Sequence, residues 1–416
     1  TSQQVDETIS IKFLYFKFFK FSDFYYFCDM KNNNHFFIIL CFIFILSFIH
    51  NEASAVENDN SARKSFSIDS LVRNTEVDLR INYGFFVHHH YEMRRYPAHF
   101  PMFELSLQKQ TYGKQLWQTF FNYPTIGVTA LYSNLGKIDV IGSAYAIYPF
   151  INFPFNKSKI NTFGFRFGVG VGYITEIFHP KENFHNTSIG SHVNAAISLT
   201  FEYKRQISEH LKLSAFAGLT HFSNGCSSKP NNGLNIINAG LSASYFIKDQ
   251  EEYIHHQKIC NCEYRRLKPE FYLGLSYGIK RIEYGQKEDF SVYNLEIYIL
   301  DRITNLSKIG IGLDLVSDAT DKITLTNFYH DEDAKNYTFA QLLKPGVSIA
   351  YELLMGETSF LINFGYHPWG RDMRYGRWYQ KLGAKFNFGE HIYGKIALNT
   401  HFGVADFIGF GLGIRL

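Results

Sequence analysis

The sequence predicts an all-β fold, a closed transmembrane antiparallel β-barrel of the bacterial outer-membrane type, and three observations carry that reading. Many segments of about ten residues or more alternate strictly between apolar and small or polar positions, the length a tilted membrane strand needs. The faces opposite the apolar ones are rich in glycine and hold charges such as Arg166 and Glu202, as a closed polar lumen allows. Tyrosines recur near segment ends, where an interfacial girdle belongs. A soluble sandwich also alternates, but its apolar face turns inward. Lipid offers no partners for open strand edges, so the sheet must close.

The chain opens with residues 1–29, which precede Met30 and read as an upstream over-extension outside the fold. Met30-Lys31, the apolar run Phe36 to Ile49 and the small residues Ala53-Ser54-Ala55 then match the three parts of a cleaved secretory signal, residues 30–55. The run is too short to favour a membrane helix, which needs about 20 apolar residues. Residues 56–75 follow as a polar periplasmic segment, and the barrel is expected over 76–416. With 28 Tyr, 42 Phe and 31 Gly against 10 Pro, the composition suits one large β structure. A formal net charge of +3 gives no polybasic surface and argues against nucleic acid as a partner.

Within the expected barrel, Phe163, Phe165, Phe167, Val169, Val171 and Tyr173 alternate with Gly164, Arg166, Gly168, Gly170 and Gly172. Val193 to Tyr203, Ile237 to Tyr245, Phe271 to Ile279 and Val347 to Leu353 do the same. The chain ends on Ile408, Phe410, Leu412, Ile414 and Leu416 against Gly409, Gly411, Gly413 and Arg415. Strands are expected to begin near 76, 99, 125, 137, 161, 191, 210, 235, 269, 290, 308, 345, 357, 376, 391 and 404, which gives about 12–16 in all. Residues 249–267 are polar enough to lie on the solvent side, and no internal repeat is evident beyond the hairpins.

Leu211 to Ser223 carries the chemistry. On a strand, successive side chains point to opposite sides. Leu211, Leu213, Ala215, Ala217 and Leu219 therefore share a face with His221 and Ser223, and a base and a nucleophile sit where lipid reaches them. Asn235 begins the next segment on the face of Ile237, Ala239 and Leu241, so it projects to the same side of one hairpin. A serine hydroxyl is a poor nucleophile until an imidazole takes its proton, and a third group holds the histidine tautomer.

The string Thr220-His221-Phe222-Ser223-Asn224-Gly225, then Pro230-Asn231-Asn232-Gly233-Leu234-Asn235, resembles the lipid A 3-O-deacylase (PagL) family, also called acyloxyacyl hydrolases, with its His-x-Ser-Asn and Pro-Asn-x-Gly. Ile189-Gly190-Ser191-His192, Glu202-Tyr203 and the closing Thr400-His401-Phe402-Gly403-Val404-Ala405-Asp406 resemble larger, Bacteroidetes-type members. The resemblance implies an outer-membrane carboxylic ester hydrolase that removes the ester-linked 3-hydroxyacyl chain at position 3 of lipid A. Its substrate would be lipopolysaccharide in the surrounding outer-membrane lipid, and it would need no cofactor or metal. By position Ser223 would be the nucleophile, His221 the general base and Asn231 the oxyanion asparagine, with the backbone amides of Asn224 and Gly225 assisting. The family's glutamate position falls on Asn235, a departure that removes the negative charge from the catalytic set. The alternative is a non-catalytic barrel: porin-like, structural, or a family member inactivated by that loss.

Other strings read more plainly. His88-His89-His90 cannot all face one ion on a strand, whereas His255-His256 with Cys260-x-Cys262 is a better metal pattern that a solvated loop explains equally well. Gly168-Val169-Gly170-Val171-Gly172 has no following helix and is no phosphate loop. The Trp378-Tyr379 and Tyr83–Phe86 clusters read as girdle or packing aromatics. Cys226, Cys260 and Cys262 remain after the signal, an odd number that leaves at least one unpaired within the chain or paired between chains; a bridge from Cys226 to either of the others stays open.

Overall fold

The computed structural model describes residues 74–416 except 88–90, 97–98, 137–138, 157, 159, 248–252, 255–268 and 285–286. The signal and upstream segments, His88–His90, His255, His256, Cys260 and Cys262 lie outside the described residues. All described residues fall in one compact unit, Ile45–Leu416.

Strands β1 (Thr75–Phe86), β2 (His99–Gln110), β3 (Thr125–Ser133), β4 (Ala144–Pro154), β5 (Asn161–Ile174), β6 (Val193–Gln206), β7 (Leu211–Ser223) and β8 (Leu234–Phe246) pair with their neighbours in sequence. β8 then returns to β1 and closes an antiparallel barrel. The second half repeats the arrangement with β9 (Glu270–Lys280), β10 (Phe290–Thr304), β11 (Ser307–Asp318), β12 (Lys344–Met355), β13 (Thr358–Tyr366), β14 (Trp378–Phe388), β15 (Ile392–His401) and β16 (Val404–Arg415), β16 closing on β9.

The expectation of one barrel over 76–416 is therefore corrected to two barrels of eight strands each. The reason lies in the two closing pairs, β8 with β1 and β16 with β9, which no local alternation encodes. The segment 247–269 is the link between the barrels, which explains its length at the end where other turns are as short as 305–306 and 356–357. The strand expected near 137 begins instead at Ala144. Ile141 and Val140 pack into the barrel's apolar core rather than facing lipid, so their hydrophobicity belongs to a loop.

Exposure along β1 is inverted relative to a soluble protein. Leu79, Ile81 and Tyr83 are 52%, 56% and 57% exposed, while Asp78 and Arg80 are 1% exposed. An apolar outer wall and a charged interior are what a hydrocarbon solvent selects. With only eight strands, side chains fill the interior. In the first barrel Arg80 bonds Asp78 at 2.7 Å and Glu202 at 2.5 Å, and Lys204 meets Glu202 at 2.7 Å. Arg166 reaches Asp78 at 3.4 Å and its guanidinium lies 3.4 Å from the Phe150 ring centroid. Toward the long-loop end the lumen is plugged by Phe86, Phe100, Met102, Leu131, Tyr148 and Phe222. In the second barrel Lys381 and Lys395 pair with Glu296, Lys385 with Glu352 at 2.6 Å, and Lys280 with both Asp318 and Asp406 at 2.5 Å.

The barrels touch at both ends. At the short-turn end Trp117 and Phe121, in and just after the short helix α1 (Leu116–Phe120), join Phe153 and Phe167 against Leu353, Met355 and Phe360. At the long-loop end the β7–β8 connection rests on β16 and on the residue after β9.

Removing one partner from a buried ion network leaves uncompensated charge in the interior. Arg80→Met is expected to cost about 3 kcal/mol of stability, with Arg80→Lys costing less. Urea denaturation in detergent micelles measures both; a midpoint unchanged in Arg80→Met would show that the network is dispensable.

Candidate active site

The period-2 geometry of β7 fixes which side chains leave the barrel. Thr220 and Phe222 are 2% and 0% exposed inside the lumen, whereas His221 and Ser223 are half-buried on the outer wall. Asn235 stands directly across the hairpin from His221 in the strand register and is likewise half-buried on the outer wall. Ile197 and Ala195 of β6 lie opposite His221 and Ser223 on the other side. All three expected side chains thus share one lipid-side face, at the end of the barrel with the long connections 87–98, 175–192 and 224–233.

Asn235 Oδ1 lies 2.6 Å from His221 Nδ1. An amide oxygen accepts, so this contact assigns the proton to Nδ1 and leaves the Nε2 lone pair as the basic site. Gly233, in the left-handed region at φ 74°, sits beneath the ring: a Cβ there would lie 2.9 Å from His221 Cε1. The glycine of the Pro-Asn-x-Gly string therefore makes room for the imidazole.

Ser223 Oγ is held by a second asparagine. Asn231 Nδ2 donates to it at 3.0 Å, the hydroxyl lies 3.2 Å from Asn231 Oδ1, and the Gly225 amide donates at 3.3 Å. The Asn224 amide donates to Asn231 Oδ1 at 3.0 Å, which fixes which way the Asn231 carboxamide faces. Asn224 was expected to direct its backbone amide at an oxyanion. In this arrangement that amide is committed to Asn231, and the Asn224 side chain bonds Ser191 Oγ at 2.9 Å. Its role here is to brace the loop. Asn231 and Gly225 are the two groups that present N–H donors beside the hydroxyl.

The loop itself is anchored from several sides. Ile189 bridges Asn231, Ser228 Oγ donates to Gly190 O at 2.7 Å, and Asn232 Nδ2 donates to Thr187 O at 2.9 Å. Ser191 of the Ile189–His192 string is thereby a structural neighbour of the site. Its signal was its place in that string.

Cys226 is a buried free thiol, with Sγ 2.8 Å from Ala405 O. Titratable groups also gather at the mouth of the second barrel, around a cleft lined by Lys280, Lys344, His367, Asp372, Arg374 and His401. Burial, opposed by a hydrogen bond to Pro345 O, holds the His367 imidazole at about 4. Burial pushes the Asp321 carboxyl up to about 7 against the pull of Lys344 at 3.1 Å. His401 Nε2 lies 3.8 Å from Asp406, but Gly403 follows Thr400-His401-Phe402 where Ser223 follows Thr220-His221-Phe222.

Two closed antiparallel barrels with apolar outer walls, and long connections gathered at one end, define an integral outer-membrane barrel protein. Residues 102–244, within the first barrel, match the lipid A 3-O-deacylase (PagL) family, and residues 269–416, spanning the second, match the acyloxyacyl hydrolase C-terminal domain. The chain belongs to the PagL family, in a form with a second barrel. No curated protein matches it. Among solved structures it is similar to the outer membrane enzyme PagL at 17% identity, covering 40% of this chain and 97% of that one with a TM-score of 0.28. It is also similar to a BenF-like porin from Pseudomonas fluorescens Pf-5 at 8% identity, 82% and 97% coverage and a TM-score of 0.21.

Gly233→Ala tests the cradle. A side chain at positive φ costs about 1–3 kcal/mol, and the added methyl displaces the imidazole. The His221 Cε1–H resonance is expected to shift and the urea midpoint to fall; an unmoved resonance would refute the contact.

Proposed function

We propose that the protein is an outer-membrane serine esterase that removes the ester-linked 3-hydroxyacyl chain from position 3 of lipid A. The observation that carries this reading is the outward face shared by the His221–Asn235 and Ser223–Asn231 pairs on a lipid-exposed wall. Family membership supplies the substrate class. A water-borne substrate would gain nothing from a site opening on hydrocarbon, whereas an acyl chain reaches it by lying along the barrel. In outer-membrane barrels long connections face the cell exterior and short turns the periplasm. The site would then sit at the outer leaflet, where lipopolysaccharide resides. The porin-like alternative finds no support in lumens filled by ion pairs and aromatics.

In the proposed reaction the Ser223 hydroxyl turns from Asn231 toward His221 Nε2, which takes its proton as Oγ attacks the ester carbonyl carbon. The Gly225 amide and Asn231 Nδ2 stabilise the charge that develops on the carbonyl oxygen. Collapse releases the sugar hydroxyl, which takes its proton from the imidazolium. Water, deprotonated by His221, then attacks the acyl carbon; the bond to Ser223 Oγ breaks, the imidazolium returns its proton to Oγ, and the 3-hydroxy fatty acid is freed. Asn235 keeps the proton on Nδ1 throughout but contributes no negative charge to the imidazolium. No step calls on a metal or organic cofactor.

Mass spectrometry of lipid A from cells expressing the wild type, Ser223→Ala and His221→Asn tests the assignment. Loss of one hydroxyacyl mass is expected in the wild type alone, and identical spectra throughout would overturn it. A carboxylate opposite His221 would favour the imidazolium, so Asn235→Glu is expected to raise kcat at least about tenfold. It also raises the histidine pKa, which moves the acid limb of the rate profile to higher pH. A rate and profile unchanged by that substitution would mean that the partner's charge does not limit the reaction.

A further inference from the structure

We infer that the second barrel completes the active site: Ile408 on its outer wall is a positioning residue that sets the Gly225 amide against Ser223. This rests on the esterase reading and extends it to a part of the chain for which that reading assigned no role.

Three contacts from the second barrel converge on the two residues that follow Ser223-Asn224. Ile408, an outward residue of β16, lies against Gly225 so closely that a Cβ there would be 2.4 Å from Ile408 Cγ1 and 2.7 Å from Cδ1. The Arg281 amide, just beyond β9, donates to Cys226 O at 2.9 Å. The Cys226 thiol donates to Ala405 O at 2.8 Å. Gly225 and Cys226 both adopt left-handed backbone, at φ 59° and 66°. Consecutive residues in that region form a tight turn that is strained for a non-glycine and persists only where its surroundings hold it. Here Asn224 and Gly190 hold it from the first barrel, and Ile408, Arg281 and Ala405 hold it from the second.

The turn matters because of where its amide points. Gly225 N–H is 3.3 Å from Ser223 Oγ, one of the two donors beside the nucleophile. Its direction is set by the ψ of Asn224 and the φ of Gly225, the residue whose Cα rests on Ile408. A side chain that fixes Gly225 therefore fixes a donor at the reacting atoms, although Ile408 itself touches neither substrate nor serine. Ile408 is half-buried although it belongs to the row of outward residues that includes Leu412 at 68% exposure, because the first barrel's loop covers it. Displacing a catalytic donor by about 1 Å costs up to about a hundredfold in rate. Truncating Ile408 to alanine removes the wall behind the turn and lets it relax.

The test uses the full chain in detergent micelles with two readouts, the labelling rate of Ser223 by a fluorophosphonate and the kinetics of lipid A deacylation. Ile408→Ala is expected to slow labelling and lower kcat at least about tenfold with KM little changed. Ile408→Leu should recover most of both, and Leu412→Ala, on the same wall away from the turn, should behave as wild type. Circular dichroism and the urea midpoint establish that each variant is folded. If Ile408→Ala misfolds, Ile408→Val, which removes one methyl group, is expected to give an intermediate labelling rate. Wild-type rates in folded Ile408→Ala, or in Ile408→Val where only that variant folds, would overturn the inference while leaving the esterase reading intact. A Leu412→Ala variant as slow as Ile408→Ala would also overturn it, since the effect would then be general to the wall. A wild-type Ser223 that resists the fluorophosphonate would overturn the nucleophile assignment and this inference with it.

Discussion

The absence of hydrogen-bond partners in hydrocarbon governs this protein. Every strand edge must find another edge, so sixteen strands have to close, and they do so twice. Closing at eight leaves an interior that side chains can fill, so the charged groups of each strand's polar face pair with side chains from across the barrel. The Arg80–Glu202 and Lys381–Glu296 networks follow from that, as does the aromatic plug around Phe222. With both interiors filled, the place left for chemistry on β7 is the outer wall, and the alternation that sends Phe222 inward sends His221 and Ser223 outward.

How much of this was legible in the sequence follows from the range over which each feature is encoded. A period of two is local, and it was enough to start fifteen of the sixteen strands within a few residues and to predict the face shared by His221, Ser223 and Asn235. The fourth strand was misplaced because Val140 and Ile141 are apolar for a tertiary reason, packing into the core cluster of the first barrel. The double closure was not legible, since β8 looks alike whether it returns to β1 or continues to β9. A trace of it did exist: an unusually long segment, 247–269, on the side where turns are short, which is what a connector between closed barrels requires. The commitment of the Asn224 amide and the seat of Gly225 on Ile408 depend on contacts across loops and between barrels, which no string of residues displays.

A resemblance in sequence can also invert in space. Thr400-His401-Phe402 repeats Thr220-His221-Phe222, and each string lies at or just past the end of the seventh strand of its barrel. In the second barrel, however, the register shifts between Asn399 and Thr400, and such a bulge re-aims the side chains that follow it. His401 lines the barrel mouth beside Lys280 and Asp406 instead of facing lipid, and Gly403 stands where a nucleophile would. The second barrel thus keeps a histidine and a carboxylate with glycine at the serine position, while the first keeps a histidine and a serine with an amide at the glutamate position.

That division bears on why an amide can stand at position 235. A carboxylate on a half-buried, lipid-facing wall loses hydration that the membrane does not replace, and its cost rises as the site is covered by an acyl chain. An asparagine at 2.6 Å preserves the tautomer and ring orientation without that cost, so the resting geometry is as well defined as a charged partner would make it. What the proposed reaction gives up is stabilisation of the imidazolium, a charge that would exist only while it proceeds. In the proposed reaction the rate would then depend more heavily on the donors beside Ser223, Asn231 and Gly225, and so on whatever holds them still. One is fixed within the first barrel by the Asn224 amide, and the other is fixed from outside it by the wall of the second.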